Sequence, residues 1–266
     1  MIPVWLTDTV TPNLNRALHY TQLWGLQGVE LRTVGGPDDR VPDVNEPQIQ
    51  QQLEKSEFLL SSVVPALFEG PVHDRVMWLN DLARLPEVLT FCTRVRSPRI
   101  VVDPFAAAPD DTAALDTAAD AFRRAGAHAA EHDVLIGVKN GPASLCPSGQ
   151  ELAALLAMVD HSHVQAVWDP AAALRAGEDV LAGLEALSGR ITLVRCSDGR
   201  IEGDQWTDTI LGEGAIDWET QFDQLHAHGF RGPVSLEIYA TPRPKAGLRS
   251  ATALNRLLSD VQRRAA

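Results

Sequence analysis

Eight short β-rich runs recur along the chain, each followed by a stretch with helical character: "IPVWLTD", "GVELRTV", "FLLSSVVPAL", "RIVVDPF", "VLIGVKN", "VQAVWDP", "ITLVRCSD" and "PVSLEIY". Such alternation leaves few architectures open, because a strand reaches a parallel neighbour only through a crossover, which the intervening helices supply. Eight units in 266 residues suit a (β/α)8 barrel, which typically takes about 250 residues. The expected fold is therefore α/β, a single (β/α)8 TIM barrel domain over residues 1–266 with no linker. A doubly wound open sheet uses the same alternation, but no G-x-G-x-x-G loop follows the first run.

Helix ends support the assignment. Ser148 and Glu151 in "SGQELAALLAMV" have the S-x-x-E spacing of a capping box before an apolar stripe. In "NLNRALHYTQLWG" a helix starts after Asn13, buries Leu14, Ala17 and Leu18, with Trp24 a further candidate, and stops at Gly25. The closing "GLRSATALNRLLSDVQRRAA" reads as the eighth helix, returning over the first strand.

Composition narrows the partners. With 35 acidic and 23 basic residues the formal charge is −12, which repels polyanions and argues against nucleic acid. No run approaches the roughly 18 apolar residues of a membrane span, and "MIPVWLTDTV" lacks the pattern of a signal peptide. Cys92, Cys146 and Cys196 form no C-x-x-C pair, so free thiols in a reducing compartment are expected. The expectation is a cytoplasmic protein with a small-molecule substrate, no nucleic-acid or membrane partner, and an open question of homo-oligomerisation.

Active sites of such barrels lie at the C-terminal strand ends, and side chains two apart on a strand share a face. That rule selects Glu30 and Arg32 from strand 2, Lys139 from strand 5, Asp169 from strand 6, Arg195 from strand 7 and Glu237 from strand 8. Beneath them Leu135, Gly137, Val167, Leu193 and Ser235 are small or apolar, as a packed interior requires. Six ionisable groups at one barrel end are costly unless paired or used. Their charges cancel, which suits a salt-bridge network as well as a binding site. His73, Asp103 and Asp198 are further rim candidates. His161 and His163 precede strand 6 and belong to a turn at the opposite end, and His226 and His228 fall in the last helix or its end, where exposed or partly buried helix histidines are expected. Trp5 and Trp168 suit core packing, whereas Trp206, in the long "DGRIEGDQWTDTI" loop, suits either a ligand or a barrel cap.

The order "GVELR", "GVKNGP", "AVWDP", "LVRCSD" and then "LGEGAIDWETQFDQLHAHGFRGPVSLEIY" resembles the xylose isomerase-like barrel superfamily of sugar and sugar-phosphate isomerases and epimerases. The most specific part is "LGEG.IDW", then a helix, "GF.GP" and "SLE". The resemblance implies one divalent metal held by a Glu at strand 5, an Asp or Glu at strand 6, a His at strand 7 and a Glu at strand 8. Asp169 and Glu237 match; Lys139, followed by Asn140, stands for the Glu, and Arg195 of "RCSD" stands for the His of an H-x-K-D pattern whose last place is Asp198.

An ammonium or guanidinium among metal ligands repels the metal. Lys139 and Arg195 are thus expected to replace the metal's charge, pairing with Asp169 and Glu237. The cofactor expectation is none, or manganese or magnesium if the altered site still binds a metal. Two functions follow. In the first, an isomerase or epimerase uses Glu237 to move a proton next to a carbonyl, with Lys139 stabilising the negative charge that develops. Arg195, Asp169, Glu30, Arg32, His73 and Asp198 then form the substrate-binding set. A Schiff base on Lys139 is the weaker variant, since neighbouring carboxylates keep the lysine protonated. In the second function the charges satisfy one another and the barrel is a non-catalytic ligand-binding module. A DNA-repair nuclease of the same fold would need several metals and a basic surface, and the chain offers neither.

Overall fold

The structure, a computed structural model, describes residues 1–36, 38–107, 113–203 and 205–265. Each apolar run forms a strand of four to six residues. In chain order the strands are β1 (Ile2–Leu6), β2 (Gly28–Leu31), β3 (Leu59–Val63), β4 (Arg99–Val102), β5 (Leu135–Lys139), β6 (Val164–Trp168), β7 (Ile191–Cys196), β8 (Asp198–Glu202), β9 (Gln205–Thr209) and β10 (Pro233–Leu236). All but β8 and β9 pair into one closed barrel in the order β1, β10, β7, β6, β5, β4, β3, β2. Closure is parallel, with Ile2 opposite Pro233 and Trp5 opposite Leu236. The fold is therefore the expected (β/α)8 TIM barrel. Gly28 is required where β2 meets β3: a Cβ there would lie 2.3 Å from the Leu59 carbonyl oxygen.

The helices among the described residues are α1 (Leu14–Leu23), α2 (Glu46–Ser56), α3 (Arg75–Val95), α4 (Ala114–Glu131), α5 (Gly149–Val159), α6 (Pro170–Arg175), α7 (Val180–Ala186), α8 (Trp218–Ala227) and α9 (Arg243–Ala265). Their boundaries have local causes. The Asn13 side chain accepts the Arg16 amide to start α1, and Gly25, at φ +65°, lets the chain turn after it. Ser148 and Glu151 complete a reciprocal capping box on α5. None of these helices is long and apolar enough to cross a membrane.

Apolar faces of the helices pack on the outside of the barrel, where Trp5 and Trp168 are fully buried. Full burial of a large apolar side chain contributes about 1.5–3 kcal/mol. Both indoles also have partners: Trp5 Nε1 donates to Thr21 Oγ1 at 2.9 Å and Trp168 Nε1 to Gln221 Oε1 at 3.0 Å. Their role is core packing. Trp24 is buried too, stacked on Tyr20 with ring centroids 5.0 Å apart. Inside the barrel Val101, Val167 and Leu193 form a separate apolar layer, which leaves room for little more than Gly137, whose Cβ would lie 2.6 Å from Val167 Cγ2. That layer is the floor on which the polar strand ends stand.

Two elements differ from expectation. The last helix starts at Arg243, four residues before "GLRS", and Asn255 Nδ2 bonds the Trp24 carbonyl at 3.1 Å, fastening α9 to the end of α1. The segment read as a long loop is an antiparallel hairpin of β8 and β9. In it Trp206 is half-buried, its Nε1 donating to Asp208 at 2.8 Å while the Arg175 guanidinium sits 5.6 Å from the ring centroid. All three cysteines are buried free thiols, and burial pushes Cys92 and Cys146 up to about 12.

Candidate functional site

A cavity of about 280 Å³ opens at the C-terminal end of the barrel, walled by Arg32, Arg40, Asp103, Lys139, Glu237 and Tyr239, with Arg195 at its base. Strand alternation explains the membership. Lys139 ends β5 two residues after Gly137, and Arg195 on β7 lies two after Leu193 and opposite Ser235 of β10. Glu237 follows the last residue of β10, and its amide donates to the Cys196 carbonyl at 3.1 Å, which extends the β10–β7 pairing by one step.

Arg195 is the organising group. Only 1% of its side chain is exposed, and its two terminal nitrogens grip both oxygens of Glu30, which is 0% exposed. Ser235 Oγ donates to Glu30 at 2.8 Å. Arg195 Nε has no hydrogen-bond partner among the described residues but lies 3.4 Å from Glu237 Oε1. Arg195 thus bridges two carboxylates, one sealed in the barrel and one on the cavity wall. Burial opposes its charge, but Glu30 and Glu237 outweigh that and hold it well above the ordinary guanidinium value. The pairing therefore differs from expectation: Arg195 binds Glu30 first, and a bidentate fork committed to Glu30 is not free for a substrate anion.

Lys139 has a looser partner. Its Nζ lies 3.6 Å from Asp103 Oδ1, and no carboxylate of Asp169 or Glu237 comes within ion-pair distance of it among the described contacts. Burial alone would lower its pKa, but Asp103, Asp169 and Glu237 together raise it, so it is an ammonium at neutral pH. Burial likewise favours neutral Glu237, yet Arg195, Lys139 and Arg32 overcome this and hold its carboxyl below the usual range. Tyr239 Oη donates to Glu237 Oε2 at 3.3 Å, and the Glu237 charge, with burial, raises the phenol's pKa.

Asp169 goes the other way. Its Oδ1 accepts the Ala172 amide at 3.0 Å and so caps α6, with Pro170 at the first helical position. Asn140 fixes the same turn, receiving the Asp169 amide at 2.8 Å and donating to its carbonyl at 2.9 Å. Burial raises the Asp169 pKa, with Lys139 working against the rise and Glu237 adding to it. One buried carboxyl is thus pushed towards the acid form and its neighbour towards the ionised form.

The remaining candidates separate. Arg32 faces the cavity, held by a bidentate pair with Asp8 at 2.8 and 3.0 Å. His73 is exposed, two residues before α3, and is not among the residues lining the cavity. Asp198 has a different place from the one expected. Its buried carboxylate accepts the amides of Gly199, Gly212 and Gly214 at 2.9, 2.8 and 3.2 Å and Trp218 Nε1 at 3.2 Å. It pins the segment before α8, and burial offset by those amides leaves its pKa raised. Other polar groups here were not anticipated. Tyr239, on the cavity wall, lies two residues beyond Glu237 and was within reach of the alternation rule, whereas Asp8 holds Arg32 from outside the cavity lining. Arg40, bonded to Glu69 and to the carbonyl of Pro65 at 3.1 Å, comes from a loop with no such signal.

The divalent metal implied by the resemblance does not fit this donor set. Two of its four positions are protonated cations, and among the described residues no group of three or more His, Cys, Asp or Glu side chains could hold a metal ion.

Comparison with known proteins agrees with this barrel. The family model for xylose isomerase-like TIM barrels matches residues 18–257. A xylose isomerase-like TIM barrel/4-hydroxyphenylpyruvate dioxygenase fusion protein superimposes with a TM-score of 0.82 at 20% identity over 99% of the chain, which spans 44% of that protein's length. L-ribulose 3-epimerase gives 0.80 at 14% identity over 99% of this chain and 96% of its own. The IolI protein, with a bound zinc atom, gives 0.81 at 16% identity over 98% of both chains. No curated protein matches the chain by sequence.

Proposed function

Because the chain belongs to the xylose isomerase-like TIM barrel family, we propose that it is an isomerase or epimerase moving a proton beside the carbonyl of a small, anionic, sugar-like or keto-acid substrate, without a divalent metal. The observation that carries this is the sharing of one cavity by an ionised Glu237 and a protonated Lys139. Such a pair supplies the two things enolisation needs, a base for the carbon-bound proton and a positive charge for the oxygen.

The Glu237 carboxylate takes the proton from the carbon next to the carbonyl. The C–H electron pair becomes the carbon–carbon double bond of an enediolate, and the former carbonyl oxygen carries the negative charge beside the Lys139 ammonium. Returning the proton from Glu237 to the adjacent carbon, while the hydroxyl proton crosses between the two oxygens, completes an isomerisation on one face of the substrate. Arg195 does not touch the substrate in this scheme; it orients Glu237 and keeps it ionised. Lys139 is not set to form a Schiff base, since three carboxylates hold it protonated.

The test is solvent deuterium wash-in across aldoses, ketoses and 2-keto acids. The expectation is stereospecific label beside the carbonyl, lost in Glu237→Gln and reduced by roughly a hundredfold or more in Lys139→Met, the scale of an oxyanion-stabilising group. Label that persists at full rate in either variant would sink the mechanism.

One observation favours a second reading, a non-catalytic ligand-binding barrel. Each cation of the cavity already has a carboxylate: Arg32 with Asp8, Arg40 with Glu69, Lys139 with Asp103 and Arg195 with Glu30. Saturable binding of a carbonyl compound with no solvent exchange would select that alternative.

A further inference from the structure

The opposite, N-terminal mouth of the barrel has the reverse electrostatics. A cavity of about 340 Å³ opens there, and none of the residues lining it is a carboxylate. Its floor is Arg99, the first residue of β4, which points into the barrel on the same face as Val101. The guanidinium is held from two sides, Nη1 donating to the Ser61 carbonyl at 2.8 Å and Nε to Thr192 Oγ1 at 3.2 Å. Nη2 has no protein partner among the described residues, and it is not sealed from solvent. Nor does any described carboxylate lie within ion-pair distance of Arg99, whereas every cation of the upper cavity has one.

Other groups add to this positive character. Arg231 lines the same cavity and uses Nη1 on the carbonyls of His226 and Phe230, at 3.0 and 2.8 Å, without a carboxylate partner. His228, also on the wall, faces Glu185 at 3.2 Å, outside the lining. Thr192, Ser188 and Gln165 supply neutral polar groups. In a chain of net charge −12, a pocket with fixed guanidinium groups and no acid is not accounted for by the general surface charge. A guanidinium already fixed by two hydrogen bonds, on a residue that lines a cavity and keeps one nitrogen unpaired, loses little freedom on binding an oxyanion.

We infer that the N-terminal mouth is a binding site for a small oxyanion, the phosphate or carboxylate group of a metabolite, held by Arg99 with Arg231 at its rim. It has its own lining and does not rest on the reaction proposed for the other mouth, although burial lowers the Arg99 pKa and the charge of Glu30, reaching Arg99 through the barrel, partly offsets that. The apolar layer of Val101, Val167 and Leu193 lies between the two ends.

The experiment is a titration of the full chain with inorganic phosphate, and separately with acetate, at constant ionic strength, followed by amide NMR shifts at Gly189, Gly229 and Gly232 on the cavity wall. Saturable shifts at these glycines are expected with at least one of the two anions, and which one saturates separates phosphate from carboxylate. Binding should weaken by roughly tenfold or more in Arg99→Met, the loss of a charged hydrogen-bond partner, and by less in Arg231→Gln. Lys139→Met, at the other mouth, should leave the curve unchanged. Should Arg99→Met not fold, Arg231→Gln alone must still weaken binding. Absence of saturable shifts with both anions, shifts confined to the Lys139 cavity, or unchanged binding in Arg231→Gln would each overturn the assignment.

Discussion

Substituting Arg195 by methionine keeps much of the side chain's volume and deletes its charge, which isolates the electrostatic role of the group. In the protein Arg195 is 1% exposed and answers Glu30, 0% exposed, and Glu237, 9% exposed. Removing one partner of a buried pair costs about 3–5 kcal/mol, because the abandoned charge stays desolvated. At about 2.1 cal/mol/K of unfolding entropy per residue, this corresponds to a fall in Tm of roughly 5–9 °C for a chain of this length. The double variant Glu30→Leu, Arg195→Met removes the more deeply stranded charge, while Glu237 keeps Lys139 and Arg32 as neighbours, and it should recover much of the loss, since apolar replacements of buried pairs are often neutral or stabilising. The single variant also carries a pH signature. Unpaired buried carboxylates have folded-state pKa values above their unfolded ones, so the penalty is full at neutral pH and fades as pH falls through the folded values towards about 4.3. Urea unfolding of the three proteins at about pH 7 and about pH 5 measures all of this. A single-variant loss under about 1 kcal/mol, or a double variant no more stable than the single, would refute the view that Arg195 chiefly serves buried Glu30.

The pH–rate profile should be broad. Glu237 is held below the usual carboxylate range and Lys139 above its usual range, so the acid limb of kcat/KM should fall below about 4.3 and the basic limb above about 10.4; limbs between them would contradict the assigned roles. The lowered Glu237 pKa also contributes stability that is present above the unfolded value and lost as pH falls through the folded one. Asp198→Ala strands the Trp218 indole and the amides of Gly199, Gly212 and Gly214; at about 1–3 kcal/mol per buried group left unsatisfied, it should cost about 3 kcal/mol or more and speed exchange at those amides. Unchanged exchange there would show that the carboxylate does not hold the segment. Manganese or magnesium at about 1 mM should move Tm by less than about 1 °C, whereas a resident metal at about 100 times its Kd would add about 2.7 kcal/mol. A saturable rise in Tm, abolished in Asp169→Asn, would restore a metal site.

Most of the barrel was legible because its cause is local. Each strand is a short apolar run, and the inward phase of that run carries Lys139, Arg195 and Glu237 to the same mouth. Which charge answers which was not legible, because Arg195 and Glu30 are 165 positions apart and meet only when the sheet closes. Asp198 illustrates the opposite failure. Its position in the strand 7 motif suggested a ligand-facing carboxylate, but a short acidic side chain beside backbone amides left unpaired by a turn is drawn to them instead. The hairpin of β8 and β9 was missed because its exposed strands, with "DGRIE" against "QWTDT", bury too little to show an apolar phase.

Replacing a metal by side-chain cations changes what the rest of a site must do. A divalent ion sits between its ligands and carries its charge on a point; a guanidinium is a plane that needs hydrogen-bond acceptors along its edge. Arg195 finds them below, in Glu30 and Ser235, which commits its fork to the barrel interior and leaves only Nε towards Glu237. Lys139 has no such plane and stays on the cavity wall, 3.6 Å from one partly exposed carboxylate. The two charges that stand where one metal is expected therefore divide its work. Arg195 keeps Glu237 ionised and in place, and Lys139 is the cation that a substrate oxygen can reach. It follows that Lys139→Arg should not rescue Lys139→Met: the planar fork would take Asp103 and Asp169 as Arg195 takes Glu30. Solvent exchange at wild-type rate in Lys139→Arg would show that the division of roles is wrong.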